Sequence, residues 1–423
     1  MRQRAVVVTV AVHLVLAGTV IAMGVVGTSE WADQTDYHLP VIKQFAEQLP
    51  LPELGDYKSA TTPGYHLIMA TLVRFGIDGV ALAFLNALFG ATFVGLLTAI
   101  VARRASAGVA IAAGCMLGCS PYVLSSSIWL TTDNLASLAL LLAAAASLSI
   151  ADGSARMPIR VGLIASAWAT FAVLIRQILI YAAAFPGAAV VARACAQRRM
   201  PAPGALFLAG MTLLPAFLVV LAFVALWGGL VPPSFREYHG GGANPVTPVY
   251  VLALVAIWGM AAFVTIPGFV RELCTTRMAF LGVLAAMVAC IVPSSYIVHV
   301  RFGGILWTVA SKLPAPFDRS ILLVVLAGLG AAALGAYLRL WSRSADIAGR
   351  GVGVFALFVL VGMTAAQTAN QQCFERYLQP LVVVCCVLAA VGIAGRSMRA
   401  WPLVIATIVA LGLSAFNVAR VGG

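Results

Sequence analysis

The feature that most limits this chain is a succession of apolar stretches, each close to the length of a bilayer crossing, joined by short connections that carry most of the charge. A helix needs about 20 apolar residues to cross the hydrocarbon core. Thirteen stretches read as spans, near 5–27, 78–101, 107–124, 131–150, 159–175, 178–192, 204–228, 248–269, 279–298, 320–338, 352–370, 378–394 and 401–419. Only 9% of the residues are charged and 62% are hydrophobic, whereas a soluble domain is roughly a quarter charged. So little polar surface cannot cover a particle in water. Backbone groups in lipid must pair within their own segment, which excludes open sheets. The expected fold class is all-α: a polytopic membrane helical bundle, one transmembrane domain over 1–423. The first stretch is too long for a signal-peptide core and lacks a small-residue cleavage site, so it reads as the first span.

Charge then orients the spans. With Arg2 and Arg4 in the cytoplasm, the loops on that side hold 16 basic residues and three acids, Asp152, Glu272 and Asp346. The other side keeps ten of the 26 basic residues and eleven of the 14 acids. This is the positive-inside asymmetry. The net charge of +12 therefore reads as a topology signal and not as a nucleic-acid surface, because the basic residues punctuate the apolar runs. Chemistry is expected on the outer face, where His38, His66, His239 and His299 also fall. Ala-, Val- and Arg-rich usage points to a bacterial plasma membrane. Eight cysteines lie mostly in apolar runs or basic loops and form no disulfide framework or metal spacing, so neither metal nor cofactor is expected.

The longest connection is 28–77, the first non-cytoplasmic loop, and long loops in compact domains usually have a function. Val41, Ile42, Phe45 and Leu49 fall on one helical face, an amphipathic helix expected to lie along the membrane surface. Leu67 to Phe75 suggests a second interfacial helix. Asp33 and Asp36 stand three apart and would share a face if helical. Either is a candidate general base, next to a span and within reach of a lipid headgroup; capping and solvation are the bland alternatives. Lys58, Thr61, Thr62 and His66 carry donors suited to phosphate oxygens, around a Pro63-Gly64 turn, although the same cluster also fits an ordinary polar turn.

Further candidates stand at the outer ends of spans. Arg176, followed by Gln177, interrupts an apolar stretch from Val161 to Ala192. It suits a phosphate clamp, since guanidinium binds phosphate through two bonds, or a snorkelling residue at a helix end. Arg376, with Glu375 and Tyr377, divides equally between clamp and interfacial anchor. Arg301 beside His299 is a third phosphate candidate. Asp133 at the entrance of the fourth span is either part of an N-cap or a second catalytic carboxylate. Arg236 to His239 precede a glycine run that could form a mobile lid or an anion-binding turn, and that reads most simply as a flexible linker.

Several of these motifs resemble those of GT-C polytopic membrane glycosyltransferases, above all the dolichyl-phosphate-glucose α-1,2-glucosyltransferase family. Tyr37-His38-Leu39-Pro40 is similar to that family's aromatic-His-x-Pro element in the loop after the first span. Asp56, Lys58, Thr61, Thr62, Pro63, Gly64 and Tyr65 match its Asp, Lys and Thr-Thr-Pro element, Arg176-Gln177 an Arg-Gln, and Arg376-Tyr377 with Pro380 an Arg-Tyr and Pro. The matches keep their order over most of the chain. The departures are Gln34 and Thr35 where the family has adjacent acids, and His299 to Gly304 where it has an Asp-Asn-Arg-His-Tyr element. The resemblance implies the GT-C fold, a polyprenyl-phosphate-linked sugar donor, a glycan or lipid-linked acceptor and inverting transfer. A lipid or solute transporter, or a flippase, is the alternative class, but ionisable residues gather outside the spans instead of at the midplane.

Overall fold

The computed structural model describes residues 1–155, 158–237, 239, 242–294 and 303–422. The chain is an all-α membrane helical bundle, and no strand occurs among the described residues. Ten helices there are long and apolar enough to cross a membrane, from Arg2–Met23 to Trp401–Ala419, and a bent pair makes an eleventh. Eleven of the thirteen expected spans are thus met among the described residues, counting the bent pair as one. Thr247–Phe263 and Thr276–Ala289, where the spans near 248–269 and 279–298 were expected, are shorter apolar helices. At 1.5 Å per residue they reach only about 21–26 Å, less than a hydrocarbon core of about 30 Å. Thr247–Phe263 is largely buried within the protein, whereas Thr276–Ala289 buries only Met278 and Ala289.

The bent pair is Ala107–Gly118 and Pro121–Ile128, broken by 63°. Pro121 has no N–H to continue the first helix. A break in lipid frees carbonyls, each costing several kcal/mol if left bare, and polar side chains from neighbouring spans meet them. His13 Nδ1 donates to the Gly118 carbonyl at 2.9 Å, and the Ser414 hydroxyl donates to Cys119 at 2.7 Å. Asn86 Nδ2 donates to the carbonyls of Ser126 at 2.9 Å and Trp129 at 3.0 Å, and Asn134 Nδ2 to that of Val123 at 2.9 Å. These buried polar residues fix the far half of the break, which leads directly into the helix Asp133–Ala151. Elsewhere the spans touch through small residues: a Cβ on Gly349 would collide with the Gly392 carbonyl oxygen.

The loop 28–77 packs onto the bundle. A continuous helical stretch runs through Ser29–Asp33, a π turn Gln34–His38 and Leu39–Gln48, and Gly64–Arg74 forms the second helix. The amphipathic face expected on the membrane surface lies inside the protein: Val41, Ile42 and Phe45 are fully buried, with Phe45 edge-on to Tyr57. The Gly64–Arg74 helix and the Tyr57 turn cover that face in place of lipid, and Trp227 Nε1 fastens the turn by donating to Leu54 O at 2.8 Å. Every ion pair among the described residues joins two residues that charge counting puts on the same side. Arg104, Arg339 and Arg343 hold Asp152, Asp346 and Glu272 in one group, and Asp33, Asp133, Arg176 and Arg376 form the other.

Candidate functional site

Four distant segments bring their charged residues together. Thr28 caps the short helix Ser29–Asp33 by accepting the Trp31 N–H at 3.0 Å, which sets Asp33 at that helix's end. Asp133 is the first residue of its helix, after an N-cap Thr132 whose side chain makes no cap bond. Arg176 occupies the extended break between Pro158–Ile175 and the 3₁₀ turn Gln177–Ala184. Arg376 is the second residue of Glu375–Ala394.

The carboxylates and guanidiniums alternate. Arg376 Nη1 donates to Asp33 Oδ2 at 2.5 Å, and its Nε lies 4.0 Å from Asp133 Oδ2. Arg176 Nη1 pairs with Asp133 Oδ1. Tyr377 lets two like charges share the site: Arg176 lies 3.8 Å and Arg376 5.1 Å from its ring centroid, and Arg376 Nη2 donates to its hydroxyl oxygen at 3.2 Å. A guanidinium over a ring face is drawn to the ring quadrupole. The side chains are 11% exposed for Asp133 and Arg176, 17% for Arg376 and 23% for Asp33, so the group is sheltered but reachable. A narrow crevice of about 20 Å³, room for little more than one water, opens against Asp133, Ser137, Arg176, Gln367, Arg376 and Tyr377. On the opposite face of the Asp133–Ala151 helix a wholly apolar cavity lies against Phe89, Leu135, Leu142, Trp168 and Phe171.

The flanking residues are committed to holding this arrangement. Gln177 Nε2 donates to Ala60 O at 2.7 Å and Leu230 O at 2.8 Å, while its Oε1 accepts the Thr62 N–H at 3.2 Å. The Thr62 hydroxyl donates to Val173 O at 2.6 Å. Both residues staple loops to the span that carries Arg176, and neither has a donor to spare for phosphate. Gln34 Oε1 accepts the Leu130 N–H at 2.7 Å, tying the first loop to the approach of Asp133. Glu375 Oε2 accepts from Tyr250 Oη at 2.9 Å and Leu306 N at 2.8 Å, which braces the start of the Arg376 helix.

Asp33, Asp133, Arg176, Arg376 and Tyr377 thus come together, while other candidates do not. The expectation that Asp33 and Asp36 share a face does not hold: the π turn begins between them, and its wider i→i+5 winding rotates Asp36 to an exposed position with no ion pair among the described residues. Lys58 is likewise exposed and unpaired. Arg301 and His299 lie outside the described residues. His38 and His66 form a pair of their own, Nδ1 to Nε2 at 3.0 Å. Burial, with Arg376 and Arg176 adding to it, pushes His38 down to about 3, and burial with His38 nearby pushes His66 well below the usual imidazole range. Both are neutral at physiological pH.

His239 belongs to the same neighbourhood and was not singled out from the sequence. It stacks on Phe235 at 5.7 Å, and Phe235 meets Tyr37 edge-on at 5.3 Å. Burial, Arg176 and Arg376 bring it down to about 4, against an opposing pull from Asp33. Its presence among the outer histidines and at the end of the segment before the glycine run was the only signal for it. Among the described residues no three His, Cys, Asp or Glu side chains gather as metal ligands.

No protein-family model matches the chain, and no curated protein matches it. Two solved structures are similar in overall course, both of ArnT from Cupriavidus metallidurans. The form bound to undecaprenyl phosphate matches with a TM-score of 0.43 and 16% identity, over 97% of this chain and 78% of that one. The apo form matches with a TM-score of 0.40 and 15% identity, over 96% and 77%. The dolichyl-phosphate-glucose family that the motifs resemble is not among these matches.

Proposed function

We propose that the protein is a membrane glycosyltransferase that moves a sugar from a polyprenyl-phosphate carrier to a glycan or lipid-linked acceptor on the non-cytoplasmic face. The observation that carries this is the alternation of Asp33, Arg376, Asp133 and Arg176 around Tyr377, sheltered within an otherwise apolar bundle. Two guanidiniums suit one phosphate, and a lipid-borne phosphate suits cations set among membrane spans.

The chemistry follows from the charges. Both arginines are paired with carboxylates. An arriving phosphate competes for Arg376 and releases Asp33, so donor binding frees the base. The acceptor oxygen then attacks the anomeric carbon and gives its proton to Asp33. The bond from that carbon to the phosphate oxygen breaks, and polyprenyl phosphate leaves with the electron pair. Direct displacement inverts the anomeric configuration. Arg176 and Arg376 stabilise charge that grows on the leaving phosphate in a site with little water. Asp33 as base contributes about 10²–10⁴-fold. Asp133 holds the arginines apart and in register.

The test uses purified protein in proteoliposomes with a radiolabelled polyprenyl-phosphate sugar. Sugar transfer that is lost in Arg376→Ala supports the proposal. Movement of the intact lipid or of a solute across the membrane, with no transfer to any acceptor, overturns it in favour of a transporter.

A further inference from the structure

Of the paired histidines His66 is fully buried and His38 half-buried; both are neutral and unused by the mechanism above, and their hydrogen bond has a direction that the surroundings decide. His38 Nδ1 and His66 Nε2 are 3.0 Å apart, so one of them donates. If His38 donates, neutral His66 carries its proton on Nδ1. If His66 donates, its Nδ1 is a bare lone pair and His38 carries its proton on Nε2.

His66 Nδ1 is the deciding atom. His66 is fully buried, and its Nδ1 has no hydrogen-bond partner among the described residues. The nearest hydroxyls are spent elsewhere: Tyr57 Oη donates to Thr61 O at 2.7 Å, and Tyr65 Oη to Asn86 Oδ1 at 3.0 Å. The rings of Phe45, Tyr57 and Tyr65 close around the imidazole. An orphaned buried N–H is rarer and costlier than an acceptor left unused. The arrangement in which Nδ1 keeps a lone pair and Nε2 donates is therefore favoured.

We infer that His66 donates to His38 and fixes it as the Nε2–H tautomer, so that His38 offers the site an N–H for an anionic ligand oxygen and is a positioning donor, not a general base. The π turn supplies the placement. His38 follows Asp33 by five residues, one i→i+5 turn, so the two stand on the same side of the stretch while Asp36 turns away. His38 Nε2 has no partner among the described residues and is not sealed off. His38 lies near enough to Arg376 and Arg176 for their charge to add to burial in keeping the imidazole neutral. Each is paired with a carboxylate, which weakens the field that would otherwise favour a lone pair on Nε2. The tautomer rests on the structure alone; the oxygen it meets rests on the proposed phosphate chemistry.

The experiment is nitrogen NMR of protein labelled with ¹⁵N-histidine in nanodiscs, with His38 assigned by its loss in His38→Asn. The expected result is a pyrrole-type Nε2 and a pyridine-type Nδ1 for His38 in the absence of ligand. His66→Gln, whose amide N–H can replace the donor, keeps that pattern, whereas His66→Leu mixes the two tautomers. Adding a short-chain polyprenyl phosphate moves the His38 Nε2 resonance, and His66→Leu raises the donor KM about tenfold with little change in kcat. A pyridine-type His38 Nε2 in the wild type overturns the inference even if transfer is observed. An unmoved Nε2 in protein that does transfer sugar overturns the donor role. Loss of phosphate binding and transfer together, with the tautomer as stated, refutes the proposed function and the donor role while the hydrogen-bond direction stands.

Discussion

Replacing Asp33 by Asn separates the two acids of the first loop. Asp33 shares a 2.5 Å bond with Arg376, with side chains 23% and 17% exposed, and Asp36 is exposed with no ion pair among the described residues. An exposed pair contributes about 0.5 kcal/mol, and breaking a buried one costs about 3–5 kcal/mol. Asn keeps the shape and one acceptor, and Asp133 still lies 4.0 Å from Arg376 Nε, so the loss falls between those limits, at about 2 kcal/mol. Unfolding entropy near 2.1 cal/mol/K per residue over 423 residues turns this into a melting shift of about 2 °C. Transfer falls much further, by at least about 100-fold, because the base is gone. Asp36→Asn leaves melting within roughly 0.5 °C and transfer within about threefold. The assay is differential scanning fluorimetry in nanodiscs beside radiolabelled transfer at saturating donor. If Asp36→Asn abolishes transfer while Asp33→Asn retains it, the argument from the π turn and the Arg376 pair is refuted.

Arg376→Lys keeps the charge but loses the forked donors that meet Asp33 and Tyr377, and transfer drops about 10–100-fold with a raised donor KM. His38 and His66 are neutral in the fold and take up protons more readily once unfolded. Stability is therefore complete above about pH 6.5 and declines as the pH falls toward about 3, and thermal melts of His38→Asn/His66→Asn have a flatter pH dependence over that window. Asn86→Leu strips the Ser126 and Trp129 carbonyls and the Tyr65 hydroxyl of their partner and costs about 3 kcal/mol, read as a melting shift of roughly 3 °C; an unchanged melt contradicts the role of Asn86 in stabilising the helix break.

Much of the site's membership was legible without coordinates. Arg176 and Arg376 were visible because a cation in an apolar stretch is costly and draws attention, and Asp133 because it stands at a span entrance. Thr62 and Gln177 looked like ligands for the same reason that they make good staples: an amide or hydroxyl beside a span end serves a backbone carbonyl as readily as a phosphate. Nothing local distinguishes the two uses. His239 was noted only as an outer histidine and as the end of the segment before the glycine run, because its significance lies in Phe235 and Tyr37, which meet only in the fold.

The sequence by itself determined the solvent, the helical class and the separation of charge into two groups, because hydropathy and charge add along the chain and need no partner to be read. The tertiary structure alone decided that Asp33 faces Arg376, 343 positions away, that Asp36 turns outward, and that two apolar runs fall short of a full crossing. Those outcomes depend on the phase of one π turn and on how the spans pack. Phase and packing are set by contacts between distant segments, for which no residue carries a local signature.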